Sequence, residues 1–135
     1  MTVELNVPVT SATAPFWEAA REGRLVLPHC ERCGRAHWYP RHTCPFCASQ
    51  ALTCITAEGS ATLETFSLVR QSFSTAGARR EAPYVVAIVR LAEGPRMTTN
   101  LVDCPLEGLR PGLPVRVRFD GAIGPEVPIP VFVPA

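Results

Sequence analysis

The stretch that decides the fold is CERCGRAHWYPRHTCPFC, residues 30–47, in which ten residues separate two Cys-x-x-Cys pairs. The spacing within each pair lets one tight turn direct two sulfur atoms towards a single point. Gly34 follows the first pair and Pro45 lies inside the second, and both residues suit a tight turn. The pattern therefore predicts one tetrahedral metal site. Its predicted ligands are Cys30, Cys33, Cys44 and Cys47.

The predicted metal is structural zinc. Four thiolates leave no coordination position for water, so such a zinc would stabilise the fold rather than activate a nucleophile. Two alternatives stay open: iron held by the same ligands, as in a rubredoxin-like electron carrier, or no metal, with buried thiols or a disulfide pair. The histidines that flank the pairs are expected at the surface or beside the metal, not among its ligands: His29, His37 and His42. The remaining cysteines, Cys54 and Cys104, are predicted to be small buried apolar residues.

On the N-terminal side, the sequence SATAPFWEAAREGR predicts a short helix. Ser11 or Thr13 can cap its start, a proline suits its first turn, and Gly23 can end it in the left-handed conformation. Phe16, Trp17 and Ala20 would share one face of this helix at helical spacing. Because a helix of this length is not stable by itself, we expect that face to pack against the rest of the chain.

On the C-terminal side, the sequence contains strand patterns separated by turns. The predicted strands are residues 61–69, 84–91, 97–102 and 115–119, with shorter strands at 25–28 and 36–40 beside the cysteine pairs. Residues 71–82 are polar and are expected to form a long loop, and the proline-rich C-terminal segment is expected to be an extended edge. About five strands with one long loop fit a small closed barrel of the OB type, with a small sandwich as the alternative.

The predicted fold is therefore mainly β, with a short N-terminal helix, a zinc ribbon and a five-stranded OB-fold barrel. Its expected divisions are 1–24 for an arm and the helix, 25–52 for the ribbon, and 53–135 for the barrel with its proline-rich tail. The composition agrees with one compact unit or two small modules sharing a core, since 47% of the residues are hydrophobic and 19% are charged.

The composition also limits the function. No GxSxG, GxxxxGK[ST], GxGxxG or HExxH motif is present, so no catalytic residue is predicted. The net charge is +1 and the thirteen basic residues, all arginines, are not clustered in the sequence, which disfavours the alternative of a single-stranded nucleic-acid-binding module. The segment MTVELNVPVT lacks the pattern of a signal peptide and the longest apolar run is too short to span a bilayer, so we expect a cytoplasmic protein without membrane contact.

Three segments resemble the DUF35 family: FWEAAREGRLVLPHCERCG, CPFC and the ending GLRPGLPVRVRF…VPIPVFVPA. The resemblance runs from Ala14 to Ala135, and its most specific part is the helix with the first cysteine pair. It implies a short helix, a rubredoxin-like zinc ribbon and an OB-fold in that order, with the four paired cysteines as zinc ligands.

The resemblance also implies a function associated with acyl-CoA. Members of the family commonly partner thiolase-like enzymes in acyl transfer, thiolytic cleavage or retro-aldol cleavage, and the catalytic nucleophile belongs to the partner. This chain is thus expected to be a non-catalytic accessory subunit of a hetero-oligomer that helps to bind the CoA thioester. Arg79 and Arg80 are the expected contacts of the CoA phosphates, and the residues expected to face the partner are Phe16, Trp17 and Phe132.

Overall fold

The computed structural model describes residues 9–70, 83–119 and 129–135. Within these ranges the chain forms helix α1 (Ala14–Arg21), a two-stranded ribbon of β1 (Val26–Cys30) and β2 (Leu52–Thr56), and a closed barrel. The barrel strands are β3 (Ser60–Val69), β4 (Tyr84–Leu91), β5 (Arg96–Leu101), β6 (Pro114–Phe119) and β7 (Pro130–Pro134). A 3-10 turn at Leu106–Gly108 precedes β6. The predicted fold class is confirmed: mainly β, with one short helix, a four-cysteine ribbon and a five-stranded barrel of the OB type.

Helix α1 begins and ends where the sequence predicts, although its start is not capped by a side chain. The Thr13 hydroxyl instead accepts a hydrogen bond of 2.9 Å from the Thr10 amide. Gly23 takes the left-handed conformation at φ +76°, and the Arg24 amide donates to the Ala19 carbonyl at 2.9 Å, which ends the helix as predicted. No helix in the described ranges is both long enough and apolar enough to cross a bilayer.

The ribbon consists of β1 and β2, which pair in antiparallel register with Cys30 opposite Leu52. The strand predicted at residues 36–40 is not formed, and the only pairing there is a single bridge between His29 and Ala36. The prediction was wrong because the side chain of Trp38 packs against the helix, with its ring 5.1 Å from that of Phe16. The segment between the cysteine pairs is therefore an irregular loop that covers the helix.

The barrel closes in the order β3-β4-β5-β7-β6, and β6 pairs back onto β3. This closure excludes the small sandwich. The segment expected to form an edge contains β7, which instead lies between β5 and β6, antiparallel to β6 and joined to β5 at Leu101 and Phe132. The edge prediction was wrong because a closed barrel has no edge. Pro130 and Pro134 stand at the two ends of β7, where missing amide hydrogens disturb the ladder least.

One hydrophobic core runs through the helix, the ribbon and the barrel. Phe16 of α1 belongs to the same buried cluster as Leu27 of β1, Leu63 of β3 and Phe132 of β7. Each large apolar side chain buried in this way contributes about 1.5–3 kcal/mol, so the segments stabilise one another. The divisions at 24/25 and 52/53 stay a prediction, and the long loop predicted at 71–82 lies outside the described residues.

Candidate metal centre

The four paired cysteines converge on one point. Their sulfur atoms all lie within 4.8 Å of one another, with 3.5 Å between Cys30 and Cys47 and 3.7 Å between Cys33 and Cys44. A tetrahedral zinc with bonds of about 2.3 Å requires sulfur–sulfur distances of about 3.8 Å. The arrangement therefore fits a four-thiolate metal, which supplies a structural cross-link when bound and leaves no open position for substrate or water.

Two similar turns, which we call the knuckles, present these sulfurs. The first knuckle is residues 30–34 and the second is residues 44–48. In the first, the Gly34 amide donates to the Cys30 carbonyl at 2.8 Å, and in the second the Ala48 amide donates to the Cys44 carbonyl at 2.9 Å. Both closing residues have left-handed backbones, with φ of 74° for Gly34 and 64° for Ala48. The two turns are held together because β1 leads into the first knuckle and β2 follows the second.

Backbone amides face the sulfurs and favour thiolates. The amides of Cys33 and Phe46 donate to the sulfurs of Cys30 and Cys44, each at 3.4 Å. The Cys33 amide is the main cause that lowers the pKa of Cys30 to about 6, against the opposing effect of burial. The Ser49 amide lowers the pKa of Cys47, but burial and the neighbouring thiols outweigh it and raise that pKa to about 11. Four neighbouring thiolates repel one another, so a bound cation is needed to keep all four cysteines ionised.

None of the three histidines belongs to the group of converging ligands, as predicted, although His37 is not at the surface. His29 donates from Nε2 to the Gly34 carbonyl at 3.1 Å and so supports the first knuckle. His42 shares a hydrogen bond of 3.0 Å with the Ser11 hydroxyl, which joins the ribbon to the residues before the helix. His37 is buried, with 2% of its surface exposed, and lines a cleft beside the barrel.

The two remaining cysteines are less buried than predicted. Cys54 is exposed, because β2 belongs to a two-stranded ribbon that leaves one of its faces in solvent. Cys104 is partly buried and packs against the core cluster. The burial predicted for Cys54 is therefore wrong, and that for Cys104 is only partly met.

A row of four aromatic rings connects the helix with the loop between the knuckles. The ring centroids are 4.8 Å apart for Trp17 and Phe16, 5.1 Å for Phe16 and Trp38, and 6.0 Å for Trp38 and Tyr39. We call these residues the aromatic row. Phe16 is buried in its middle, Trp17 is partly exposed, and Tyr39 has 60% of its surface exposed.

The other predicted site residues are placed differently. Phe132, expected to face a partner, is fully covered inside the barrel. Arg79 and Arg80, expected to contact CoA phosphates, lie outside the described residues. The partner-facing and phosphate-contacting roles stay predictions.

A cleft of about 740 Å³ separates the ribbon from the turn between β4 and β5. Four arginines line it and define what we call the arginine cleft: Arg35, Arg41, Arg90 and Arg96. The sequence does not reveal this site, because two of these arginines come from the loop between the cysteine pairs and two from a hairpin about fifty residues later. No local spacing connects the two pairs, so folding alone brings the charges together.

Comparisons with known proteins assign the two modules. A family model described as "ChsH2, rubredoxin-like zinc ribbon domain" matches residues 17–53, and one described as "ChsH2, C-terminal OB-fold domain" matches residues 55–120. A "DUF35 domain-containing scaffold protein" of Methanocaldococcus jannaschii is 32% identical over 106 residues, which are 74% of this chain and 74% of that protein. The chain belongs to the DUF35 family. The predicted zinc cofactor is confirmed: the chain matches a zinc ribbon domain, and its four cysteines are positioned to bind a metal ion.

Further relatives extend the comparison. A "Probable enoyl-CoA hydratase alpha subunit" of Thermomonospora curvata is 35% identical over 129 residues, and these cover 95% of this chain but 39% of that protein. A chain of the solved "Ltp2-ChsH2(DUF35) aldolase" superposes with a TM-score of 0.83 at 32% identity, covering 96% of this chain and 98% of that one. A DUF35 protein of unknown function from Sulfolobus solfataricus, with a TM-score of 0.66 at 12% identity, shares the fold alone.

Proposed function

We propose that this DUF35 protein is a non-catalytic scaffold subunit of a thiolase-like or aldolase-type enzyme that acts on acyl-CoA in the cytoplasm. The observation that carries the proposal is the similarity over 96% of the chain to a chain of the "Ltp2-ChsH2(DUF35) aldolase". Two further relatives support it by name, one as a scaffold protein and one as a subunit of an enzyme of enoyl-CoA.

The chemistry of the described residues supports a non-catalytic role. Ser11 and His42 form the described hydroxyl–imidazole pair, yet both are exposed and no described carboxylate binds the other nitrogen of His42. An activated serine needs its base to be oriented by a third group. A four-thiolate zinc adds no reaction of its own, since its coordination is complete.

The aromatic row is the surface that we assign to the partner. Interfaces are enriched in aromatic residues, and a few of them carry most of the binding free energy. Trp17 and Tyr39 lie at the two ends of the row and keep exposed surface, with Phe16 packed against Trp17 and Trp38 packed against Tyr39. In this proposal Phe16 and Phe132 act from inside the core by fixing the helix and the barrel, and Trp17 makes the contact. Arg79 and Arg80 remain the proposed contacts of the CoA phosphates.

The proposal is tested by purifying the chain with a thiolase-like or aldolase subunit from the same organism. We expect a stable hetero-oligomer in size-exclusion chromatography with light scattering, and a higher turnover of acyl-CoA than the enzyme subunit shows alone. Trp17→Ala should weaken the complex by about tenfold or more, because an interface aromatic residue contributes about 2 kcal/mol when it is central. Leu106→Ala, at a half-exposed position outside the aromatic row, is the matched control.

Two results would contradict the proposal. The first is that candidate enzyme subunits of both classes neither bind the chain nor change their turnover in its presence. The second is turnover of acyl-CoA by the isolated chain, which would make it an enzyme in its own right.

A further inference from the structure

The arginine cleft concentrates positive charge on one wall of the molecule. Arg90 and Arg96 share a single carboxylate, that of Glu64, at 2.6 Å and 2.8 Å. Arg35 and Arg41 form no ion pair with a described carboxylate. One acid lines the wall of the cleft: Glu93, whose Oε2 atom accepts a hydrogen bond from the Glu58 amide at 3.1 Å. Four guanidinium groups thus face two carboxylates, and the cleft carries an excess of positive charge.

The cleft also contains a buried polar group without a partner. His37 lies in its wall with 2% of its surface exposed, and neither ring nitrogen has a hydrogen-bond partner among the described residues. Leaving a buried donor or acceptor unpaired is unfavourable, so such groups usually mark a place for a ligand or an ordered water. Burial, and then the charge of Arg41, lower the pKa of His37, and both residues line the same cleft.

An aromatic wall completes the site. The Arg35 guanidinium stacks over the Phe46 ring at 3.7 Å from its centroid, and the Phe46 side chain is 49% exposed. This contact orients the Arg35 guanidinium beside an aromatic ring that keeps exposed surface. Small-molecule sites commonly combine an aromatic side chain with a few polar groups that fix the orientation of the ligand.

We propose that the arginine cleft binds the phosphate group of a small phosphorylated ligand. Guanidinium groups match phosphate oxygens with paired, charge-assisted hydrogen bonds. The volume of about 740 Å³ falls in the range of small-ligand sites, about 300–1,000 Å³. The unpaired ring nitrogens of His37 are buried in the wall, where a ligand small enough to enter the cleft can reach them. The proposal concerns the isolated chain and does not depend on the scaffold function.

Calorimetric titration of the zinc-loaded protein at low ionic strength tests this site, with ADP, inorganic pyrophosphate and adenosine as probes. We expect one saturable site for ADP and pyrophosphate and none for adenosine, because the phosphates supply the charge. ADP that binds more tightly than pyrophosphate would identify a nucleotide-type ligand that uses the aromatic wall. Equal affinities would identify a site for a free phosphate or diphosphate. Both results support the proposal.

The variants isolate the cleft from the general charge of the protein. Arg41→Ala with Arg96→Ala should weaken the binding of ADP and pyrophosphate by about tenfold or more, since each charge-assisted pair is strong. Arg110→Ala with Arg116→Ala removes two exposed arginines outside the cleft and should leave the affinity nearly unchanged. Arg41→Lys with Arg96→Lys keeps the charge but loses the paired geometry, and should give an intermediate affinity. Zinc content and thermal unfolding confirm that each variant is folded.

Three results would overturn the proposal. One is no binding of ADP or pyrophosphate at millimolar concentration. Another is an equal loss of affinity in the cleft variant and the control variant, which would indicate diffuse attraction alone. The third is a cleft variant that binds both probes normally but no longer binds the enzyme subunit, which would assign these arginines to an acidic segment of the partner.

Discussion

The two knuckles have the same backbone geometry but reach it with different residues. Each begins with a buried cysteine, Cys30 or Cys44, and each closes with an amide that donates to the carbonyl of that cysteine. The closing residue is left-handed in both, yet it is Gly34 in the first knuckle and Ala48 in the second. A left-handed backbone costs a residue with a β-carbon about 1–2 kcal/mol. The geometry of the metal site therefore requires a left-handed backbone at this position, and glycine only lowers the free-energy cost of that conformation.

The largest effect is expected from removing one ligand in each knuckle. Cys30→Ser and Cys44→Ser should both lose the metal and lower the free energy of unfolding by about 3–5 kcal/mol or more, because a structural metal site contributes directly to folding. Bound zinc per chain and the midpoint of chemical denaturation measure this effect.

Cys54→Ser is the matched control for these two variants, because Cys54 is an exposed cysteine outside the metal site. It should keep one zinc per chain and the midpoint of the wild type. If either ligand variant also kept one zinc per chain at full affinity, the four-thiolate assignment would be wrong.

A smaller loss is expected from giving the first knuckle the residue of the second. Gly34→Ala should lower the free energy of unfolding by about 1 kcal/mol, because alanine resists the left-handed backbone at this position. A β-carbon built on Gly34 meets no atom within 4 Å, so a steric clash is not the cause. Chemical denaturation of the zinc-loaded protein measures the change, and an unchanged free energy of unfolding would contradict this account.

The reverse exchange should stabilise the protein. Ala48→Gly relieves the left-handed backbone of the second knuckle but increases the entropy of the unfolded chain, so the expected net gain is about 0.5–1 kcal/mol. Exposed Ala51, which is not left-handed, supplies the control, since Ala51→Gly should give no gain. A loss of stability in Ala48→Gly would mean that the alanine side chain itself contributes to the knuckle.

The smallest effect concerns the contact that joins the two turns. Arg35 follows the first knuckle and stacks on Phe46 of the second at 3.7 Å. A double-mutant cycle with Arg35→Ala and Phe46→Ala should give a coupling free energy of about 0.5–1 kcal/mol, as expected for an exposed cation–π pair. Additive effects of the two substitutions would mean that the Arg35–Phe46 contact does not stabilise the protein.

The sequence predicts best the features that depend on local chemistry. The ligands follow from the Cys-x-x-Cys spacing, the end of the helix from Gly23, and strands such as β6 from alternating residues. Ala48 was missed because glycine, and not alanine, normally marks a left-handed position.

Features that depend on distant partners were not predicted. The apolar side chains of residues 36–40 predict a strand, but Trp38 packs on the helix and the segment forms a loop. The position of β7 depends on closure of the barrel, which no local pattern reports. The arginine cleft likewise needs two segments that only the folded chain brings together.

The place of β7 in the barrel also sets an order of events during synthesis on the ribosome. All other barrel strands are translated before β7, yet β7 is the strand that lies between β5 and β6. Until it emerges, β5 and β6 each present an unpaired edge, and edges of this kind recruit other chains. The cysteines of the ribbon emerge much earlier and can capture zinc while the barrel is still open. The zinc site of the nascent chain can thus form first, and the barrel closes only when β7 pairs with β5 and β6.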